Sequence, residues 1–102
     1  MNQAVESKIP SWLTLTDEGV KVTLKYPTEL NMVKLGEVFM RSPNVKQIRA
    51  ANATSNGDAE AREMSLFSSL TEVPEKDLGE LHFRDYKRLQ EGYFRMVEED
   101  EL

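Results

Sequence analysis

Val20-Lys-Val-Thr-Leu-Lys-Tyr26 alternates without a break, with Val20, Val22, Leu24 and Tyr26 on one side and Lys21, Thr23 and Lys25 on the other. Successive side chains of a strand point to opposite faces, so this run reads as a strand with one apolar and one wet face. Trp12-Leu-Thr-Leu-Thr16, just before it, is rich in β-branched and aromatic residues. Asp17-Glu-Gly19 separates the two, and Gly19 is read as the left-handed residue of a three-residue loop. The pair predicts a β-hairpin over residues 10–27. An isolated hairpin is marginal in water, so its apolar face has to rest on helices. The expected class is α+β: an N-terminal hairpin packed on a small bundle of three to four short helices.

Helices are expected over about 28–98. Pro27 is read as the end of the strand and Thr28 as an N-cap, with Glu29 at the positive end of the dipole. Met32, Leu35 and Phe39 then follow at helical spacing until Ser42-Pro43. Asn44 caps a short piece from Val45 to about Ala51. "ANATSNGDA" from Ala51 supplies a loop over 51–58. Asp58 caps a helix to about Leu70, Pro74 opens a turn with Leu78 and Leu81 inward, and the last helix runs from Arg84 to about Glu98. Residues 1–9 are read as a flexible N-terminus, 10–98 as one domain and 99–102 as an acidic tail.

The apolar fraction of 39% is modest for 102 residues. Backbone ordering costs roughly 1–2 kcal/mol per residue, so a partner or a second copy is expected to complete the burial. Charge divides unevenly. Residues 1–50 carry seven Lys/Arg against five Asp/Glu, and residues 51–102 carry six against thirteen, giving +2 and −7 within the total of −5. An acidic second half argues against nucleic acid, whose phosphates need clustered Lys/Arg. No Cys is present, which excludes disulfides and thiolate chemistry and fits a reducing cytoplasm. No apolar run is long enough to span a membrane, and "MNQAVESKIP" lacks the apolar centre of a signal peptide. Asn52-Ala-Thr54 matches a glycosylation acceptor, but has no use without secretion.

Chemistry has few candidates. His82 is the only histidine, and Asp85 three residues on, or Glu80, could orient it as a general base. No nucleophile signature accompanies it, and a helix-junction histidine is the preferred reading. Glu98-Glu-Asp-Glu101 lacks the spacing of a calcium loop and reads as a solvated tail. The glycines form no phosphate cradle; Gly36, Gly79 and Gly92 interrupt helical patterns, for close helix approach or for flexing. No catalytic residue, cofactor or metal is assigned.

The aromatic stripe near the end is the most informative feature. Tyr86, Leu89, Tyr93 and Val97 line up on one side of the last helix, with Phe83, Gln90 and Phe94 beside them. Leu89 and Val97 are expected in the core. Phe83, Tyr86, Tyr93 and Phe94 exceed what one thin core needs, and tyrosine suits sites that are half buried and half wet. Tyr93 and Phe94 stand between core and interface.

Two stretches, "LTLTDEGVKVTLKYPTELNMVKL" and "LFSSLTEVPEKDLGELHFRDYKRLQEGYF", resemble the tail assembly chaperones of long-tailed bacteriophages. Those proteins open with a two-stranded piece and a strand ending in a proline that leads into a helix. Their second half has a helix ending in Leu-Thr, a Leu-x-x-Leu step, an Asp-Tyr pair and a closing amphipathic helix. Leu70-Thr71, Leu78 with Leu81, Asp85-Tyr86 and Leu89 onward match that order. The resemblance covers about residues 10–97, with no family signal over 45–62.

The resemblance implies a non-enzymatic chaperone in the bacterial cytoplasm, absent from the mature virion. It would coat the tape-measure protein, keep it from aggregating and recruit tail-tube protein; a longer frameshifted product is common in the family. Met32, Phe39, Tyr86, Leu89, Tyr93 and Phe94 are the expected partner-binding residues, taken from the apolar stripes rather than from a family motif. A homo-oligomer is allowed; nucleic acid and membrane are not expected. Two rivals remain: an acidic, antitoxin-like adaptor that masks a basic protein, and a small hydrolase built on His82.

Overall fold

The computed structural model describes residues 8–98. Three strands, β1 (Leu13–Leu15), β2 (Gly19–Leu30) and β3 (Val33–Arg41), form one antiparallel sheet in the order β1-β2-β3. Four helices follow: α1 (Val45–Ser55), α2 (Ala59–Thr71), α3 (Glu75–Leu78) and α4 (Phe83–Glu98). The α+β class holds, as do the strand alternation and the closing helix. Residues 1–7 of the expected flexible N-terminus and 99–102 of the acidic tail lie outside the described residues.

The alternation of β2 has the expected result as far as Leu24; Tyr26, read on the apolar side, falls in the register break and is exposed. Val20, Val22 and Leu24 are buried, while Lys21, Thr23 and Lys25 face water. Pairing sets Leu13 opposite Val22, Val22 opposite Val38 and Val20 opposite Met40, so one sheet face is continuously apolar. Thr16 closes the β1–β2 turn. Its hydroxyl accepts from the Glu18 and Gly19 N–H groups and donates to the Gly19 carbonyl. Gly19 is not the left-handed turn residue: its φ is 158°. Glycine is needed there because a Cβ would collide with the Met40 carbonyl oxygen of β3.

The main correction concerns residues 28–41, which form strand rather than helix. Pro27 does not end β2. It lies where the register against β3 shifts between Thr23 and Thr28, a bulge at which the missing N–H leaves no ladder bond broken. The strand then resumes to Leu30 and reverses through Asn31 and Met32, with φ of 57° and 70°. Two consecutive positive φ values are the mark of the two-residue hairpin turn whose twist matches the flanking strands. Leu30, Val38 and Met40 are buried, whereas Phe39 points to the wet face.

The helical half follows its caps. The Asn44 side chain accepts from the Gln47 N–H at 2.9 Å and the Gln47 side chain accepts from the Asn44 N–H at 3.0 Å, a reciprocal box. Asp58 accepts from Glu60 and Ala61 at the start of α2. The expected loop at 51–58 is shorter than read, because α1 continues to Ser55 and stops at left-handed Asn56. Gly36 belongs to β3 and not to a helix.

Helix α4 closes the apolar sheet face. At Gly92 a Cβ would stand 3.1 Å from Val22 Cγ2 and 3.2 Å from Leu13 Cδ1, so the glycine lets α4 settle on β1 and β2. The buried stripe of α4 is Asp85, Leu89, Gly92 and Met96. Phe67 and Leu70 of α2, Leu78 of α3 and Leu81 complete the core, Leu78 and Leu81 being the inward pair expected. Val97, expected in the core, is 47% exposed.

Candidate partner-binding surface

Asp85 organises the junction between sheet and helices. It is fully buried, and its two carboxylate oxygens accept from the Lys25 N–H at 2.7 Å and the Tyr26 N–H at 2.9 Å. These donors lie in the bulge, where β3 offers them no ladder partner. A carboxylate from α4 thus satisfies backbone groups that the sheet leaves open. Asp77 does the same at the hairpin tip, accepting from the Asn31 N–H at 2.7 Å.

His82 completes this junction. Its ring stacks on Tyr26 with centroids 4.1 Å apart, and its Nδ1 accepts from the Arg84 N–H at 3.1 Å, capping the start of α4. Asp85 turns to the strand backbone rather than to the imidazole. Among the described residues no group of three His, Cys, Asp or Glu side chains could hold a metal ion, and no helix is long and apolar enough to cross a membrane.

The six expected contact residues separate onto different surfaces. Met32 stands at the β2–β3 tip and is 89% exposed. Phe39 lies on the wet sheet face opposite Lys21. Leu89 is wholly buried on the inward face of α4, as its core reading expected, and is not part of the contact surface. Tyr86 and Tyr93 pack half-buried on Phe67, with ring centroids 5.8 and 5.5 Å away. Phe94 projects outward at 57% exposure.

Tyr86 donates its hydroxyl to Glu63 at 2.6 Å, and Gln90 donates to the same carboxylate oxygen at 2.8 Å. Burial, the hydrogen bond to Glu63 and the charges of Glu63 and Glu60 all push the Tyr86 phenol well above its ordinary range. Burial also raises Tyr93, with Arg62 acting in the opposite direction. Tyr86 is therefore a neutral donor to Glu63 at physiological pH.

Tyr86 borders a groove of about 650 Å³ between α2, α3 and α4. Met64, Leu78, Leu81 and Phe83 give it apolar walls, and Glu60 and Glu63 stand at its rim. Sequence reading missed Phe83 as a contact candidate, although it is 69% exposed, and it missed Met64. Phe83 carried a legible signal. It starts the outward series Phe83, Lys87, Gln90, Phe94 and Val97, spaced three or four apart along α4.

No curated protein and no solved structure matches the chain. The profile of a family described as "Phage tail assembly chaperone proteins, E, or 41 or 14" matches residues 21–98, from the start of the alternating strand to the end of α4. The Asp-Tyr pair within that span is the carboxylate that carries the bulge and the phenol that borders the groove. The chain belongs to the phage tail assembly chaperones.

Proposed function

We propose that this chaperone holds apolar helical segments of the tape-measure protein during tail assembly in the host cytoplasm, presents the coated protein to tail-tube subunits, and leaves before the virion is complete. The observation that carries this reading is the groove between α2, α3 and α4. Its walls combine Met64, Leu78, Leu81 and Phe83 with the carboxylates Glu60 and Glu63 at the edge. An amphipathic helix lays its apolar face into such a groove. Methionine adapts to different side chains, and rim carboxylates favour helices flanked by Lys or Arg. Met32 and Phe94 are exposed apolar side chains that extend the contact beyond the groove.

The test is co-expression with the tape-measure protein encoded beside this chain, followed by size exclusion with light scattering. The wild type should keep that protein soluble and co-elute in many copies. Met64→Ser/Phe83→Ser should lose capture with an unchanged far-ultraviolet circular dichroism spectrum. A tape-measure protein that stays insoluble with the wild type overturns the reading. So does binding that collapses with salt, since an apolar groove is little affected by screening whereas an acidic adaptor on a basic partner is strongly affected.

A further inference from the structure

Phe83 belongs to two grooves. On one flank of α4 it walls the groove toward α2 and α3, whose charged residues are Glu60 and Glu63. On the other flank it walls a second groove, of about 750 Å³, between α4 and the segment leading into β1. The charged residues there are Arg84, Lys87, Arg88 and Glu91, facing Trp12. The grooves share one exposed aromatic ring, and the charge changes sign across it. Helical geometry accounts for the split. At about 3.6 residues per turn, Phe83 and Lys87 lie on the outward crest of α4, opposite the buried Leu89, Gly92 and Met96. Tyr86 and Gln90 fall to one side of that crest, and Arg84, Arg88 and Glu91 to the other.

Neither side is neutralised from within. Among the described residues Glu60 and Glu63 form no salt bridge, and neither do Arg84, Lys87 and Arg88. Glu63 is held by two uncharged donors, the Tyr86 hydroxyl and the Gln90 amide. Glu91, the one acid of the second groove, is engaged by Arg95 at 2.6 Å. Arg88 is anchored: it donates to the Thr23 carbonyl at 2.7 Å, and its guanidinium stands 4.9 Å from the centroid of the Trp12 ring. Lys87 stands 5.8 Å from the centroid of Phe83. A uniformly basic helix seated on Glu60 and Glu63 would meet Arg84 and Lys87 once past Phe83, and a uniformly acidic one would meet the reverse. Like charges brought together at an interface are costly.

We infer that the two grooves form one track for a single class of segment: an amphipathic helix of the client whose charge changes sign along its length. Lys or Arg lies over Glu60 and Glu63, Asp or Glu over Arg84 and Lys87, and a large apolar side chain on Phe83. A helix is about 10–12 Å across, so crossing α4 and both its flanks takes about two such widths, or roughly 14 residues of helix. The inference rests on the groove reading of function and adds the class of client sequence that the groove accepts.

Fluorescence anisotropy with the full chain and labelled helical peptides of about 18 residues tests it. Two peptides share one apolar stripe of Leu and Met, the same composition and the same helicity by circular dichroism. In one, Lys fills one half and Glu the other; in the second the two are interleaved. The segregated peptide should bind about tenfold tighter, the summed worth of about four exposed ion pairs. That advantage should close in 1 M salt, where the Debye length is about 3 Å, while the apolar binding common to both peptides persists. Arg84→Glu/Lys87→Glu makes the track acidic throughout. It should lose the preference and bind an all-Lys version of the peptide more tightly than the segregated one. The peptide comparison on the wild type needs no variant to fold. Equal affinity of the two peptides for the wild type overturns the inference and leaves the groove reading standing. So does a folded charge-reversal variant that still prefers the segregated peptide. If neither peptide binds the wild type, the groove reading fails and this inference falls with it.

Discussion

Removing the Asp85 carboxylate should cost this fold a large part of its stability, although Asp85 forms no salt bridge among the described residues. Two bulge amides donate to it at 2.7 and 2.9 Å, from a strand whose ladder cannot serve them. Hydrogen bonds to a charged acceptor contribute about 1.5–3 kcal/mol each. Both bonds are only partly sheltered from water, which favours the lower figure, so Asp85→Ala should lose about 3 kcal/mol. A domain of this size has about 5–15 kcal/mol in total. Asp85→Asn keeps one acceptor oxygen but turns an N–H₂ group toward the second amide, and should lose about 2 kcal/mol. Urea denaturation measures both. With a slope of about 1.5 kcal/mol/M, the alanine midpoint should fall by about 2 M at unchanged slope. Hydrogen exchange at Lys25 and Tyr26 should accelerate ahead of the rest of β2. If both variants unfold at the wild-type midpoint, the bulge does not depend on the carboxylate and the account of the junction fails.

Three further outcomes follow from the geometry. Met32 holds φ at 70° with its side chain almost wholly in water. Relief of left-handed strain, about 1–2 kcal/mol, less the greater chain entropy of glycine, about 0.4–1 kcal/mol, means that Met32→Gly should raise the melting temperature by about 3–6 °C; a lower melting temperature would mean that the side chain packs within the chain. Gly92→Leu forces bulk against Val22 and Leu13 and should cost about 1–3 kcal/mol in urea denaturation. The Tyr86 phenol is raised in the folded state by burial and by Glu63. Its contribution is therefore complete below the ordinary tyrosine value near 10 and is lost as pH climbs through the range above it. Wild-type stability should fall more steeply above pH 10 than that of Tyr86→Phe, as chemical melts at stepped pH would show.

Patterns of side-chain chemistry made much of this architecture readable in advance. Val20 to Leu24 alternated and became strand; Asn44 and Asp58 looked like caps and are caps. The stretch 28–41 misled because Met32, Leu35 and Phe39 happen to stand three and four apart, while the period-two set of Leu30, Val38 and Met40 is interrupted by the turn. A hairpin turn of this type normally announces itself with glycine, and Asn31-Met32 carries none. Pro27 looked like a stop because its tolerance depends on a bulge, and a bulge is a property of two strands in register. The stripe on α4 was read one position out of phase. Its true inward face includes Asp85 and Gly92, which do not count as apolar, so Leu89, rightly read as core, was also counted as contact surface, and Val97 was assigned to the core. Met64 became visible as part of a site only when α2, α3 and α4 were brought together around a groove.

The order in which the chain is made gives the closure by α4 a consequence for its life in the cell. Val20, Val22, Leu24, Val38 and Met40 all precede residue 42, whereas the helix that covers them ends at Glu98. At synthesis rates of about 5–20 residues per second, roughly 3–11 s separate the last residue of the sheet from the last residue of its lid. A hairpin zips up in about 1–10 μs. On the ribosome the sheet residues therefore precede their covering helix by about a million times longer than a hairpin needs to form.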